Sequence, residues 1–388
     1  MYYSKIKVHT FLGTTIGALM LSANANADLI SDTEFGLTGS IKVDALFSNY
    51  SNGTLPAQSL GRDFYVPGAT PVGGVKESTQ FDAHAKQTRF RFTSTTDAGN
   101  NNIIKGIFEL DFLVTPGGNE RVSNSYVPRI RHAFVEYSGW TIGQTWTTFQ
   151  DIKTLPESVD FIGVPDGIAF NRQALLRYQT GAWEFALENS ESTITPFGGG
   201  ARIVSDDGFI PDAVVRYTHK ADWGHFSVAT LLRQLSYETA TIDESASSYG
   251  ISMNSKIYVG DRDDLRISFT SGIGLGRYLA INASNGAVLD SNSNLSAIES
   301  SGFTIAYRKV WSGKIRSNFM FAALSVDNDI ALTGATATQS TYSVSANIMY
   351  SPVAKITFGA EIKRANREIE SGISGDMTRL QFMAKYSF

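Results

Sequence analysis

The chain has 388 residues, no cysteine and 35 glycines, and its 33 Lys and Arg against 37 Asp and Glu give a formal net charge of −4. The lack of cysteine excludes disulfide scaffolds, cysteine-based zinc sites and thiol nucleophiles. Aromatic residues make up 12% of the chain and charged residues only 18%, which argues against disorder, and the mild acidity argues against a nucleic-acid partner.

The N-terminus has the three parts of a secretory signal peptide in order. A basic start is followed by an uncharged, largely apolar run over 10–23 and by Ala25-Asn26-Ala27, which fits the cleavage rule. A membrane anchor is the alternative, but this run is short of the roughly 20 residues that a spanning helix needs. We expect residues 1–27 to be removed, leaving one domain over 28–388 with a formal charge of −6.

Alternation of apolar and polar residues dominates the mature chain. Leu265, Ile267 and Phe269, for example, alternate with polar residues, as in a strand with one apolar face. Sixteen such segments occur, near 34–47, 81–95, 104–114, 129–137, 140–147, 172–179, 182–189, 213–219, 225–237, 248–259, 264–276, 300–310, 314–326, 339–350, 355–366 and 377–388.

The connections between these segments alternate in length. Those after even-numbered segments are short, whereas the gaps near 48–80, 148–171 and 190–212 each exceed twenty residues. Outer-membrane barrels have short periplasmic turns and long external loops, and a sheet in hydrocarbon must close because open edges are too costly. The pattern predicts an all-β, 16-stranded antiparallel transmembrane β-barrel in the outer membrane of a Gram-negative bacterium.

The last residue, Phe388, lies on the apolar face of the last segment. A terminal aromatic in this position resembles the signal read by the barrel-assembly machinery, which we therefore expect as a partner. Sixteen strands enclose a water-filled lumen rather than a packed core, so the predicted barrel favours conduction.

The cost of placing Arg or Lys in lipid, about 2–4 kcal/mol at mid-membrane, fixes which face lines the lumen. Arg89 and Arg91 must face inward because the opposite register would expose them to lipid and the intervening phenylalanines to water. The segment at 129–137 is interpreted in the same way, which places His132 on the lipid side.

This rule places sixteen basic residues and six acids in the lumen, an excess of ten positive charges. The remaining acids are expected in the loops. Ordinary lumen salt bridges, with basic residues near the rims contacting lipid phosphates, are the alternative for any single residue, but they do not explain the excess. The sixteen basic residues are Lys42, Arg89, Arg91, Lys105, Arg129, Arg131, Arg177, Arg216, Arg233, Lys256, Arg266, Arg308, Arg316, Lys355, Lys363 and Lys385.

Five arginines stand out because their segments run in the same direction near one wall: Arg89, Arg91, Arg129, Arg131 and Arg177. We expect the loop 148–171, which joins two of the segments on this wall, to fold inward and narrow the pore. The predicted solute pathway comprises Arg89, Arg91, Arg129, Arg131, Arg177, Lys42, Lys105 and Arg216. The residues assigned to the constriction loop are Asp151, Glu157, Asp160, Asp166 and Arg172. Arginine suits carboxylates because its planar fork makes two parallel hydrogen bonds.

Several stretches resemble the DcaP-like outer-membrane porins, which are dicarboxylate-associated channels. The stretches are Gly39-Ser40-Ile41-Lys42-Val43-Asp44, Pro128-Arg129-Ile130-Arg131-His132-Ala133, Gly143-Gln144-Thr145-Trp146-Thr147-Thr148-Phe149-Gln150-Asp151, Pro156-Glu157, Asp160-Phe161, Arg172-Gln173 and Arg177-Tyr178. The resemblance implies a trimeric 16-stranded barrel that passes small anionic organic acids. Some members carry a coiled-coil-like segment before the barrel; here strand-like alternation begins within about seven residues of the cleavage site.

Other functions have weaker support. His219 and His225 flank a short turn but lack a third metal ligand, and no catalytic or nucleotide-binding motif is present, so we expect no metal, no cofactor and no enzyme activity. A lipase or protease barrel would need a serine paired with a histidine at the lipid boundary, where only His132 is placed. A structural or adhesive barrel would have a filled lumen, and a general diffusion porin would lack solute preference.

The sequence therefore predicts an anion-preferring porin for small organic acids, with dicarboxylates as the expected class. The expected partners are small anionic solutes, outer-membrane lipid and lipopolysaccharide, the barrel-assembly machinery and two further copies of the chain.

Overall fold

The computed structural model describes residues 33–100, 102–115, 117–119 and 121–388. The expected signal peptide and its cleavage site lie outside the described residues. Over the described part the chain is almost entirely β-structure, with one-turn helices α1 (Leu60–Asp63) and α2 (Ile330–Thr333) in the loops. None of the helices in this part is long and apolar enough to cross a membrane.

The strands follow one another mainly as antiparallel neighbours. Their bounds are β1 (Thr33–Tyr50), β2 (Gln80–His84), β3 (Arg89–Asp97), β4 (Ile103–Asp111), β5 (Arg129–Tyr137), β6 (Trp140–Trp146), β7 (Arg172–Thr180), β8 (Trp183–Glu188), β9 (Ser192–Thr195), β10 (Ile203–Ser205), β11 (Asp212–Ala221), β12 (Gly224–Glu238), β13 (Asp243–Val259), β14 (Asp263–Ile273), β15 (Ala287–Leu289), β16 (Leu295–Ala297), β17 (Glu299–Val310), β18 (Ile315–Asp327), β19 (Thr338–Val353), β20 (Ile356–Ile369) and β21 (Ser374–Ser387).

The barrel closes through its first strand. β1 pairs with β3 over Thr33–Ser40 and with β21 over Ser40–Tyr50. β2 continues the line of β3 beyond a break at 85–88 and also pairs with β1. With β2 and β3 counted as one interrupted strand, sixteen antiparallel strands form one closed sheet, and the predicted fold is confirmed.

The predicted segments agree with the barrel strands except at their ends. The segment expected over 264–276 ends at Ile273, because Gly274 and Gly276 have φ angles of +76° and +46°. Glycine adopts these left-handed conformations without steric cost. The chain therefore turns from the wall into the lumen at this point.

Side-chain exposure confirms the predicted alternation along β1. Ile41 and Val43 are each 49% exposed on the outer surface, whereas Lys42 and Asp44 are 7% and 0% exposed in the interior. The interior of the barrel is polar and the outer surface apolar, as expected for strands that lie between lipid and an aqueous lumen.

The prediction that His132 faces lipid is wrong. A β-bulge shifts the register between β4 and β5, so that Glu109 pairs with His132 and Leu110 pairs with Ile130, leaving Arg131 as the extra residue. An extra residue reverses the alternation beyond it. His132 is therefore buried in the interior, where its Nδ1 lies 3.0 Å from Thr145 Oγ1.

A second, four-stranded sheet inside the external loops was not predicted. β9 pairs with β10 and β15 with β16, and β9 and β15 join the two hairpins in parallel. These strands have only three or four residues, too short for alternation to be recognised in a sequence. The sheet links the loop after β8 to the loop after β14.

Candidate functional site

The loop between β6 and β7, residues 147–171, folds into the lumen and lies along the wall opposite β3–β7. This arrangement confirms the predicted inward-folded third loop. It is held by hydrogen bonds to five strands of that wall, β11, β14, β19, β20 and β1. The bonds are Arg216 Nη1 to Gln150 O at 2.5 Å, Ser268 Oγ to Thr154 Oγ1 at 3.1 Å, Asn347 Nδ2 to Glu157 O at 3.1 Å, Val159 N to Glu361 Oε2 at 2.8 Å and Lys42 Nζ to Val159 O at 2.7 Å.

The loop's acidic residues pair with basic residues of this wall. Asp151 lies 2.8 Å from His225 Nε2, Glu157 pairs with Arg316, and Asp160 lies 3.4 Å from Lys363 Nζ. The expected charge excess counted only residues on the strands, whereas this loop brings its acids into the lumen. The lumen excess of ten positive charges is therefore an overestimate. The loop's acids neutralise basic residues on the wall that the loop covers.

The second half of the loop is held by apolar packing. Ile162, Val164 and Ile168 pack against Ala306 and Met320 on the strands β17 and β18. Burial of this apolar surface stabilises the folded-in position.

Asp166 has a structural role in the same half of the loop. Its carboxylate is fully buried and accepts hydrogen bonds from Tyr65 Oη at 2.8 Å and from Ser343 Oγ. Burial raises the pKa of Asp166, although these hydrogen bonds act in the opposite direction. Asp166 therefore joins the constriction loop to the first external loop and to β19, and it does not face a solute path.

Four of the predicted arginines lie together on the wall that the loop leaves open. Arg89 and Arg91 of β3 and Arg129 and Arg131 of β5 surround two carboxylates of β4, Glu109 and Asp111. The distances are 3.4 Å from Arg89 Nε, 2.6 Å from Arg91 Nε and 2.7 Å from Arg131 Nε to Glu109, and 2.7 Å from Arg129 Nε and 3.0 Å from Arg131 Nη1 to Asp111.

Each carboxylate of this cluster serves more than one guanidinium. Glu109 is shared by three arginines and Asp111 by two, with Arg131 bound to both. The carboxylates hold the arginines in place without cancelling their charge. Arg91, with 43% of its side chain exposed, presents free donors to the lumen.

Arg172, the first residue of β7, adds a fifth guanidinium to this group. Its Cζ lies 4.5 Å from the centre of the Trp146 ring, and its charged neighbours include Arg129, Arg131 and Asp111. No carboxylate among the described residues lies within ion-pair distance of it, and its Nη1 has no hydrogen-bond partner there. We refer to Arg89, Arg91, Arg129, Arg131 and Arg172 as the arginine cluster.

Aromatic rings orient the cluster. The Arg131 guanidinium lies over the Trp146 and Phe161 rings at 5.9 and 5.5 Å, and that of Arg129 lies over Phe161 at 5.7 Å. Phe161 belongs to the constriction loop, so the loop approaches the arginine cluster here. Stacking on a ring fixes the plane of a guanidinium and leaves its edge free to donate to a carboxylate.

Arg177 and Arg216 lie on the periplasmic side of the constriction loop, separate from the arginine cluster. Both contact Glu184, at 3.5 and 2.5 Å. Glu184 and Arg216 line a cavity of about 480 Å³, together with Lys153 on the underside of the loop. Arg177 was predicted to lie with the other arginines of this wall, but it is separate from the arginine cluster. A second cavity, of about 250 Å³, is lined by both Arg177 and Arg91.

Lys42, Lys105 and Phe388 do not belong to a single site. Lys42 is buried, with its Nζ 3.0 Å from Asp44 and 2.7 Å from both Gln87 Oε1 and Val159 O, so it anchors the constriction loop. Lys105 is exposed near the periplasmic end of β4. The Phe388 ring lies 6.0 Å from Phe90, and its backbone pairs with Gly39 where the barrel closes.

Comparison with known proteins decides the family. The profile of the DcaP outer membrane protein family matches residues 22–388. The chain belongs to this family. It is therefore an outer-membrane porin, and the fold and family are those of a channel.

Solved structures with the same fold include several outer-membrane channels. DcaP of Acinetobacter baumannii has a TM-score of 0.76 and 23% identity, with 92% of this chain and 98% of that chain covered. The anion-selective porin of Comamonas acidovorans has a TM-score of 0.56 and 10% identity, with 92% and 100% covered. Salmonella typhi OmpF has a TM-score of 0.54 and 10% identity, with 92% and 99% covered. The search of curated proteins gave no match.

Two residues that line cavities inside the barrel, Lys153 and His132, were not predicted from the sequence. Lys153 lies on the underside of the constriction loop. The inward fold of this loop was predicted, but the direction in which its side chains point was not. His132 was assigned to the lipid face because a β-bulge of one residue cannot be recognised from amino-acid composition. The described residues contain no group of three or more His, Cys, Asp or Glu that could hold a metal ion.

The ion pair of Asp151 should make the loop's attachment pH-dependent. Burial alone would raise the pKa of Asp151, but hydrogen bonds from His225, Ser227 and the Lys153 N–H lower it to about 2. A carboxyl with a lowered pKa stabilises the fold above its unfolded pKa of about 3.9, and this contribution is lost as the pH falls toward the folded value.

We therefore expect Asp151→Asn to lower the unfolding free energy by about 1–3 kcal/mol at neutral pH and by progressively less below about pH 4. Denaturant unfolding of the detergent-solubilised porin, followed by tryptophan fluorescence, measures this difference. Asp206→Asn, at an exposed loop position, is the matched control and should have no effect. A destabilisation that is the same at pH 7 and pH 2.5 would contradict the assignment.

Proposed function

We propose that this porin is an anion-preferring diffusion channel for small organic acids, and that dicarboxylates are its preferred solutes. The observation that carries the proposal is the arginine cluster, in which five guanidiniums face two carboxylates beside the folded-in loop. The loop's acids are paired with the opposite wall, so the remaining opening has a positively charged side.

The electrostatic attraction is of a size that suits passage rather than trapping. At an effective dielectric constant of 20, a charge pair at 4 Å is worth about 4 kcal/mol. Desolvation of both partners offsets most of it, which leaves about 1–2 kcal/mol per contact. Two carboxylates then give millimolar to high-micromolar affinity, and conduction requires a site weak enough to release its solute.

The geometry of the arginine cluster favours a dianion over a monoanion. Arg172 lacks a carboxylate partner among the described residues, and Arg91 is half-exposed beside a shared one. A molecule with a carboxylate at each end could engage both, each through the paired donors of a guanidinium. The anion-selective porin of Comamonas acidovorans has the same fold, which supports the proposed preference for anions.

The test is the reversal potential of single channels in a potassium chloride gradient. We expect a preference for chloride that weakens from 0.1 M to 1 M salt, because the Debye length falls from about 10 Å to about 3 Å. Succinate should block the current at lower concentration than butyrate, a monoanion of the same carbon number. Cation selectivity would refute the proposal, and equal block by both acids would favour a general diffusion porin.

We also propose that the porin works as a homotrimer after cleavage of residues 1–27. The wall of β6 and β8 supports this, since these strands have seven and six residues. At about 3.3 Å per residue and a tilt near 45°, seven residues span about 16 Å, less than the apolar band of about 25 Å. A neighbouring copy would shield this short wall from lipid. The mass of the porin in mild detergent, measured by light scattering, should correspond to three mature chains.

A further inference from the structure

Three external loops enclose a cavity whose lining contains no residue of the arginine cluster. The loops that follow β8, β14 and β18 meet around a space of about 200 Å³. Its lining includes Arg202 and Arg367, together with hydroxyl and amide groups, among them Thr195, Ser284, Asn285 and Thr336. Because these loops lie at the end of the barrel opposite the short turns, the cavity opens toward the external side.

No acidic side chain among the described residues pairs with the two arginines of this cavity. Neither has a carboxylate within 4.0 Å among the described residues, in contrast to Arg129 and Arg316, which are ion-paired. The acid Glu370 accepts a hydrogen bond from Asn328 at the edge of the cavity, but it is not part of the lining. No carboxylate is among the lining residues.

Neutral acceptors hold both guanidiniums in position. Arg202 donates through Nε to Asn285 Oδ1 at 2.5 Å and through Nη2 to the Asn282 carbonyl at 2.6 Å. Arg367 donates through Nε to Thr338 Oγ1 at 3.1 Å and through Nη1 to the Thr70 carbonyl at 3.3 Å. A guanidinium oriented by neutral oxygens still attracts an anion. Arg202 is also exposed, so a solute can reach it.

We propose that Arg202 and Arg367 form an external carboxylate-binding site that captures small organic anions before they reach the constriction. The surrounding hydroxyl and amide groups would donate to a second carboxylate or to hydroxyl groups of the same solute. The proposal rests on the proposed function in one respect: the captured solutes are of the class that the constriction passes.

A capture site of this kind acts on association rather than on release. Positive charge at the mouth of a channel raises the local concentration of anions and so their rate of entry. The residence time of a solute at the arginine cluster, in contrast, depends on contacts deeper in the lumen. The effect is also one-sided, because the cavity is at the external end.

The test compares succinate block of single channels with the acid added to one side at a time, in 0.1 M potassium chloride. The wild-type porin should show faster association from one side than from the other. In the double variant Arg202→Gln/Arg367→Gln, we expect the faster association rate to fall several-fold toward the slower one, with the dissociation rate unchanged. Arg367→Lys keeps the charge but loses the forked pair of donors. Its association rate should lie between those of the wild type and the double variant.

Arg364→Gln is the matched control, since Arg364 lies on the same strand, β20, with its side chain exposed on the outer face. It should leave both rates unchanged, and heat-modifiable migration on gels will confirm that each variant is folded. Unchanged sidedness in the double variant, or an equal loss in Arg364→Gln, would overturn the capture site. Absence of succinate block in the wild type would instead refute the proposed function itself.

Discussion

Replacement of Arg172 by glutamate is expected to raise the succinate concentration that blocks half of the current by tenfold or more. Arg172 lacks an ion-pair partner among the described residues and stacks on Trp146 beside Arg129 and Arg131. The substitution removes one attractive contact and adds a repulsive one. Two changes of about 1 kcal/mol or more each correspond to at least a tenfold shift in affinity. Single-channel recordings over a series of succinate concentrations measure it.

Two controls separate charge from packing at this position. Arg172→Lys keeps the charge but loses the paired donors, and we expect it to weaken block by only a few-fold. Arg364→Glu makes the same charge reversal on the outer face of β20 and should leave block unchanged. If succinate blocks Arg172→Glu at the same concentration as it blocks the wild type, the solute site lies elsewhere in the lumen.

Substitution of Arg129 and Arg131 is a less specific test of the same site. Both arginines are bound to Asp111, and Arg131 also to Glu109. Their removal would leave the buried Asp111 without an ion-pair partner, which destabilises a protein strongly, whereas Glu109 would keep Arg89 and Arg91. It would also lower the excess positive charge of the arginine cluster from three to one. A loss of block in such a variant would therefore combine a binding effect with a structural one.

Removal of the inward part of the constriction loop is expected to have the second large effect. With residues 153–167 replaced by a short Gly-Ser linker, single-channel conductance should rise several-fold because this segment covers most of one lumen wall. The wall strands pair with each other independently of the loop, so the barrel should still fold.

The same deletion separates selectivity from solute binding. It removes Glu157 from Arg316 and Asp160 from Lys363, and Lys363 keeps only Glu361, at 3.8 Å. We therefore expect anion preference to persist while succinate block weakens, because the lumen is wider at the arginine cluster. Glu157→Gln/Asp160→Asn, which keeps the loop but loosens it, should give an intermediate conductance. A conductance equal to that of the wild type after deletion would show that the loop does not form the constriction.

The barrel and the register of most of its strands can be predicted from the amino-acid sequence alone. Alternation was strong because a strand between lipid and water has two chemically different faces, and the cost of an arginine in lipid left one register for segments such as that of Arg89 and Arg91. The contrast between short turns and long loops then gave the orientation of the strands.

The positions at which the charges act depend on contacts between distant parts of the chain. The acids Asp151, Glu157 and Asp160 are ordinary loop residues in the sequence, and their pairing with distant strands depends on the path of the loop through the lumen. The bulge at Arg131 moved His132 from the lipid side to the interior, and the meeting of three loops brought Arg202 close to Arg367. Contacts of this kind join residues far apart in the chain, so local alternation carries no information about them, whereas it does determine which face of a strand meets lipid.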